Sequence, residues 1–117
     1  MLIFKQFTFD SAHYLPNVPE GHKCRQMHGH TYKAIFYIQG EPDPNTGWIM
    51  DFGEIKSRIK PLIDLLDHTV LNDIPGLENP TCELICRWLW LQLKPQLSGL
   101  AKIELYETPT SGAIFEG

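Results

Sequence analysis

His28-Gly29-His30-Thr31-Tyr32-Lys33-Ala34-Ile35-Phe36-Tyr37-Ile38-Gln39 is the stretch on which the fold turns. From about His30 to Gln39 it is dense in β-branched and aromatic residues, which reads as a strand. Apolar residues occupy both of its faces, Ile35 and Tyr37 on one, Ala34, Phe36 and Ile38 on the other. Residues 2–10 repeat the pattern, with Ile3, Phe7 and Phe9 on one face and Leu2 and Phe4 on the other. Between these strands, residues 11–29 carry Pro16, Pro19 and Gly21, which break regular structure and predict a long loop of the kind that carries function.

Downstream, Gly40 to Gly47 reads as a turn, and Trp48-Ile49-Met50 as a short extended piece leading into Asp51. Asp51 and Glu54 have the spacing of a capping box and start a helix whose apolar residues are Ile55, Ile59, Leu62, Ile63 and Leu66, with a kink expected at Pro61. Asn79-Pro80 starts a second helix that runs to about Lys94, with Leu84, Ile85, Trp88, Leu89 and Leu91 as its buried stripe. Residues 100–107 and 112–116 read as third and fourth strands. The order ββααββ predicts an α+β fold, a four-stranded antiparallel sheet with both helices on one face. Helices cover only one face, so apolar residues on the other call for a partner subunit and predict a homo-oligomer.

The 117 residues are the length of one domain, here 1–117. A net charge of -4 without a block of Lys or Arg excludes nucleic acid and anionic membrane as default partners. No apolar run approaches the ~20 residues that span a bilayer. Three cysteines with no secretory signal predict reduced thiols in a cytoplasmic protein.

Residues two apart on a strand project to the same side, so His28 and His30 can reach one ion, and Gly29 lets the backbone come close to it. His13 lies just past the first strand, which pairs with the second and carries it toward the other two. Three imidazoles suit zinc and leave a fourth position open, the pattern of a catalytic site. An isolated H-x-H pair is more often two ordinary strand residues; the third histidine and nearby Cys24 shift that balance. Cys24 itself has three readings: a fourth ligand, a free nucleophile or base favoured by a nearby cation, or an inert buried side chain. Cys82 and Cys86, four apart on a helix, suggest packing. Asp67-His68 is either a carboxylate-oriented proton carrier or helix-end electrostatics. Glu107 is either a strand-end charge or an acceptor for paired N–H groups of an amino-heterocycle. Glu83 is accounted for by the dipole of the second helix, and His22 by an exposed loop.

Six stretches carry a resemblance over nearly the whole chain: Phe9-Asp10-Ser11-Ala12-His13, Cys24-Arg25-Gln26-Met27-His28-Gly29-His30, Gly47-Trp48-Ile49-Met50-Asp51-Phe52, Leu66-Asp67-His68, Asn79-Pro80-Thr81-Cys82-Glu83 and Glu107-Thr108. As a set they resemble the 6-pyruvoyl-tetrahydropterin synthase family. The three residues between Cys24 and His28 match its bacterial, carboxy-forming branch, which serves queuosine biosynthesis; Cys82 departs from the serine common among close relatives. The resemblance implies zinc on His13, His28 and His30, Cys24 as catalytic base with His68 and Asp67 as its proton relay, Glu107 as anchor of the pterin ring and a further catalytic member of the relay, and Thr81 and Glu83 near the pterin pocket. It implies the tunnelling fold, ββααββ subunits whose sheets join into a barrel, as a hexamer of two stacked trimers with sites at subunit interfaces. The implied activity is carbon–carbon lyase chemistry on 7,8-dihydroneopterin triphosphate, yielding 6-carboxy-5,6,7,8-tetrahydropterin, acetaldehyde and triphosphate. A pyruvoyl-forming lyase on the same fold, and a non-catalytic zinc module closed by Cys24, stand as the alternatives.

Overall fold

In the computed structural model, which describes residues 1–117, β1 (Leu2–His13) and β2 (His28–Gln39) pair antiparallel along their whole length. Leu2 lies opposite Gln39 and His13 opposite His28. Both strands reach further into the 11–29 segment than composition indicates, because the ladder supplies partners for backbone groups that a loop would leave to solvent. β3 (Leu100–Thr108) pairs with β2 and β4 (Ser111–Phe115) pairs with β3, giving the antiparallel order β1-β2-β3-β4. Trp48-Ile49-Met50 is not a strand, and Ile49 and Met50 form a bend.

α1 (Phe52–Leu66) starts as expected at Asp51, whose carboxylate accepts the Gly53 N–H at 3.2 Å. The reciprocal half of a capping box is absent, since Glu54 turns instead to Arg58 at 3.1 Å. Pro61 lies within α1, which continues through it to Leu66. Its ring faces solvent, while Ile59, Ile63 and Leu66 hold the helix on the sheet. α2 (Cys82–Leu93) begins later than Asn79-Pro80 suggested: Thr81 is the cap, its hydroxyl accepting the Leu84 N–H at 3.2 Å. Its buried stripe is Cys82, Ile85, Cys86, Leu89 and Leu93, so the expected places of Leu84 and Leu91 in that stripe are wrong; Leu91 is 62% exposed. The reason is the two cysteines, small enough to let the helix settle close to β3. Their thiols point at strand carbonyls, Cys82 Sγ 3.4 Å from Leu105 O and Cys86 Sγ 3.6 Å from Ile103 O. Burial pushes the Cys82 thiol up to about 12 and the Cys86 thiol up to about 11.

Both helices pack on one face of the sheet, α1 against β1 and α2 against β3 and β4. Phe9, Tyr32, Ala34, Phe36, Ile38, Ile103 and Leu105 form the sheet side of this core. Each such fully buried large apolar side chain contributes about 1.5–3 kcal/mol of transfer free energy. The opposite face has no helix: Phe4 and Ile114 are 56% and 61% exposed there. At its centre Glu104 accepts the hydroxyls of Tyr37 at 3.0 Å and Tyr106 at 3.2 Å and pairs with Lys102 at 3.4 Å. No helix is long and apolar enough to cross a membrane.

Candidate active site

The end of the β1–β2 ladder sets the centre. Ser11 opposes His30 and His13 opposes His28, and all four side chains leave the sheet on its helix-covered side. The three imidazoles meet there, with ring centroids 4.6 Å apart for His13–His28, 5.1 Å for His13–His30 and 4.9 Å for His28–His30. Their potential ligand nitrogens lie within 4.8 Å of one another.

Backbone carbonyls decide which nitrogen each ring offers. A carbonyl only accepts, so a ring nitrogen facing one carries the proton. His13 Nδ1–H donates to Pro80 O at 2.8 Å, and His28 Nδ1–H donates to Gln26 O at 2.7 Å, leaving Nε2 of each as a lone pair in the neutral ring. His30 Nε2 is buried with no hydrogen-bond partner. Burial holds His13 and His30 below the ordinary imidazole value; for His13 the Pro80 carbonyl pulls the other way without winning. Two converging lone pairs and an orphaned buried nitrogen are what a divalent metal ion satisfies, so these three residues fit one.

Glu107 joins this centre. Its Oε1 lies 3.5 Å from His13 Nε2 and 3.6 Å from His30 Nε2, and its side chain is 27% exposed, so the reading of Glu107 as a free strand-end charge fails. Cys24 lines the same cleft as His28, His30, Glu107 and Thr108. It is half-buried in a short 3₁₀ turn, Lys23–Arg25, capped by His22, whose Nδ1 accepts the Cys24 N–H at 3.1 Å. Arg25 ties the loop down by donating to Pro16 O at 3.1 Å and Val18 O at 2.9 Å.

Asp67 and His68 stand elsewhere. They are bonded to each other, His68 Nδ1 to Asp67 Oδ2 at 2.9 Å, although neighbours in sequence need not be. His68 is left-handed, with φ 55°, a conformation that non-glycine residues rarely adopt. β1 holds it there: Asp10 N–H donates to Asp67 Oδ1 at 2.9 Å and Asp10 O accepts the His68 N–H at 2.6 Å. The bond to Asp67 raises His68 above the ordinary imidazole value. The backbone N–H of Asp10, then His68, hold Asp67 below the usual carboxylate range. His68 lines a cleft with Asp10, Ser11, Gly29, His30 and Thr31. His30 also borders the cleft that holds Cys24, but neither Asp67 nor His68 does.

Thr81 and Glu83 do not line the Cys24 cleft. Thr81 caps α2 directly after Pro80, and Glu83 is exposed in the first turn of that helix. Sequence reasoning missed Tyr32, fully buried behind the trio with its hydroxyl 3.4 Å from both nitrogens of His13. Its position two residues after His30 was the available signal. The carbonyls of Gln26 and Pro80 had none.

A family model described as 6-pyruvoyl tetrahydropterin synthase matches residues 2–117. The chain is 41% identical to 6-carboxy-5,6,7,8-tetrahydropterin synthase of Synechocystis sp., over 97% of this chain and 92% of that protein. It is 32% identical to human 6-pyruvoyl tetrahydrobiopterin synthase, over 98% and 90% respectively. Among solved structures, Caenorhabditis elegans 6-pyruvoyl tetrahydropterin synthase superposes with a TM-score of 0.92 at 25% identity, covering 100% of this chain and 95% of that one. The chain belongs to the 6-pyruvoyl tetrahydropterin synthase family.

Proposed function

We propose that the chain is a zinc-dependent carbon–carbon lyase of queuosine biosynthesis. In this reading it converts 7,8-dihydroneopterin triphosphate and water to 6-carboxy-5,6,7,8-tetrahydropterin, acetaldehyde and triphosphate. The observation that carries it is the pairing of an open three-histidine centre with Cys24 in one cleft, in a chain 41% identical to a protein named for that product.

His13, His28 and His30 would hold the zinc, which supplies Lewis-acid polarisation of substrate side-chain oxygens. Cys24 takes the proton that leaves the substrate, and positioned general-base help of this kind is worth ~10²- to 10⁴-fold. Asp67 fixes the His68 ring through its Nδ1–H, so the other nitrogen, Nε2, is the one that carries protons. Since the dyad does not line the Cys24 cleft of its own chain, we propose that it serves the Cys24 of a neighbouring subunit, in a hexamer of two trimers. The apolar, helix-free sheet face is in keeping with such packing. Glu107 anchors the pterin ring by accepting from its N–H groups, with Thr81 and Glu83 near the ring.

The test is product mass after incubation with 7,8-dihydroneopterin triphosphate, with and without a zinc chelator. The carboxy product with acetaldehyde, lost on chelation, supports the reading. A pyruvoyl product without acetaldehyde instead favours the activity in the name of the human relative. Turnover unaffected by chelation removes the metal from the scheme.

A further inference from the structure

We infer that Glu107 is a fourth metal donor, its carboxylate closing the three-histidine centre when no substrate is bound. This goes beyond the reading above, which gives Glu107 to the pterin, and rests on it only for the choice of zinc. The carboxylate then has two claimants, and substrate entry transfers it from one to the other.

Glu107 follows the last β2–β3 pair, Lys33 with Tyr106, and its side chain turns to the imidazoles. Its Oε1 stands 3.5 Å from His13 Nε2 and 3.6 Å from His30 Nε2. A charge-assisted N–H···O bond would draw such atoms to about 2.7–2.9 Å, so neither contact is one. Two donors bound tetrahedrally to one zinc at about 2.0–2.1 Å stand about 3.3–3.4 Å apart, and the observed spacings lie near that edge.

The donor and acceptor pattern agrees. His13 donates through Nδ1 to Pro80 O, so the Nε2 facing Glu107 is a lone pair in the neutral ring. His30 Nε2 is buried and unpartnered. A carboxylate oxygen aimed at one lone-pair nitrogen and one unpartnered nitrogen makes a hydrogen bond to neither, and a cation at their common focus resolves it. Glu107 stands outside the set of donors that lie within 4.8 Å of one another, so closing on the corner held by His28 takes a small side-chain movement, which its partial exposure allows.

The experiment is equilibrium competition for zinc between the protein and a chromophoric chelator, with no pterin present, for the wild type, Glu107→Gln and Glu107→Asp. Thermal unfolding of each variant checks that it folds. A donor carboxylate predicts that Glu107→Gln raises the zinc Kd roughly 10- to 100-fold, as loss of a metal-supporting group does. It also predicts altered visible bands in the cobalt-substituted protein. Should Glu107→Gln fail to fold, Glu107→Asp carries the same comparison. An unchanged Kd overturns the inference. So does a raised Kd with unchanged cobalt bands, which makes the carboxylate a nearby charge and not a ligand. Neither result depends on turnover, so this inference and the lyase reading fail separately.

Discussion

β1 serves two groups of histidine that differ in burial and in the charge of their partners. His13 ends the strand fully buried and meets His28 and His30 on the helix-covered side. His68, held by the backbone of Asp10 on the same strand as His13, has a side chain 77% exposed. Each member of the pair His13 and His68 donates a proton from Nδ1, but to different partners: a neutral carbonyl for His13, a carboxylate for His68. With the carbonyl, burial prevails and the ring is held below the ordinary imidazole value, as the proposed ligand role needs. With the carboxylate, the charged ring is favoured, as the proposed proton carrier needs. Partner charge and burial, not residue type, separate the two roles.

Cys24→Ala cuts deepest between the groups. The proposed base is lost while the imidazoles stay, so kcat falls by ~10²- to 10⁴-fold with zinc content unchanged by metal analysis. Loss of the metal along with activity would make Cys24 a ligand and merge it with the buried group. Asp67→Asn comes next. It removes the carboxylate that raises His68, so the imidazole pKa followed by NMR drops toward 6.5. Turnover falls by ~10- to 10²-fold, less than the full acid–base contribution. An unmoved His68 pKa would break the contrast drawn here.

The smallest effects are in stability. His13 is held below its unfolded value of 6.5, so between its folded pKa and 6.5 the unfolded chain binds the extra proton. Its contribution is present above pH 6.5 and is lost as pH falls toward the folded pKa. Urea unfolding of metal-free protein should therefore show the wild type losing stability relative to His13→Asn as pH drops from 7 through 6. His68 has the reverse sign, its contribution present below 6.5 and lost as pH rises through its raised pKa. Thr81→Ala, which removes the α2 cap next to the carbonyl that holds His13, should cost ~1 kcal/mol.

The histidine trio was legible because it obeys local rules. His28 and His30 share a face by strand alternation, and His13 joins them once β1 pairs with β2. The antiparallel sheet followed from the order ββααββ, and the helix-free face from Ile35 and Tyr37 alternating with Ala34 and Phe36. The placement of His68 was not legible, since it depends on a left-handed residue and a clamp from Asp10, which lies 58 positions earlier in the chain. The α2 stripe was misread because leucines outrank cysteines in hydrophobicity, whereas close approach to β3 favoured the smaller side chains. Glu107 stayed ambiguous for a similar reason: whether a strand-end carboxylate meets solvent or the imidazoles of His13 and His30 depends on where β3 leaves β2.

The two rings that donate to carbonyls draw on Gln26 and Pro80, and any amino acid supplies a carbonyl. The orientation of these histidines is thus encoded in the route of the chain and not in the identity of the residues along it. Positions 26 and 80 are free to drift in side chain so long as the path is kept. An insertion or deletion nearby would do what no single replacement of their side chains does. Alignments that score residue identity will recover the three histidines and pass over the scaffold that aims them.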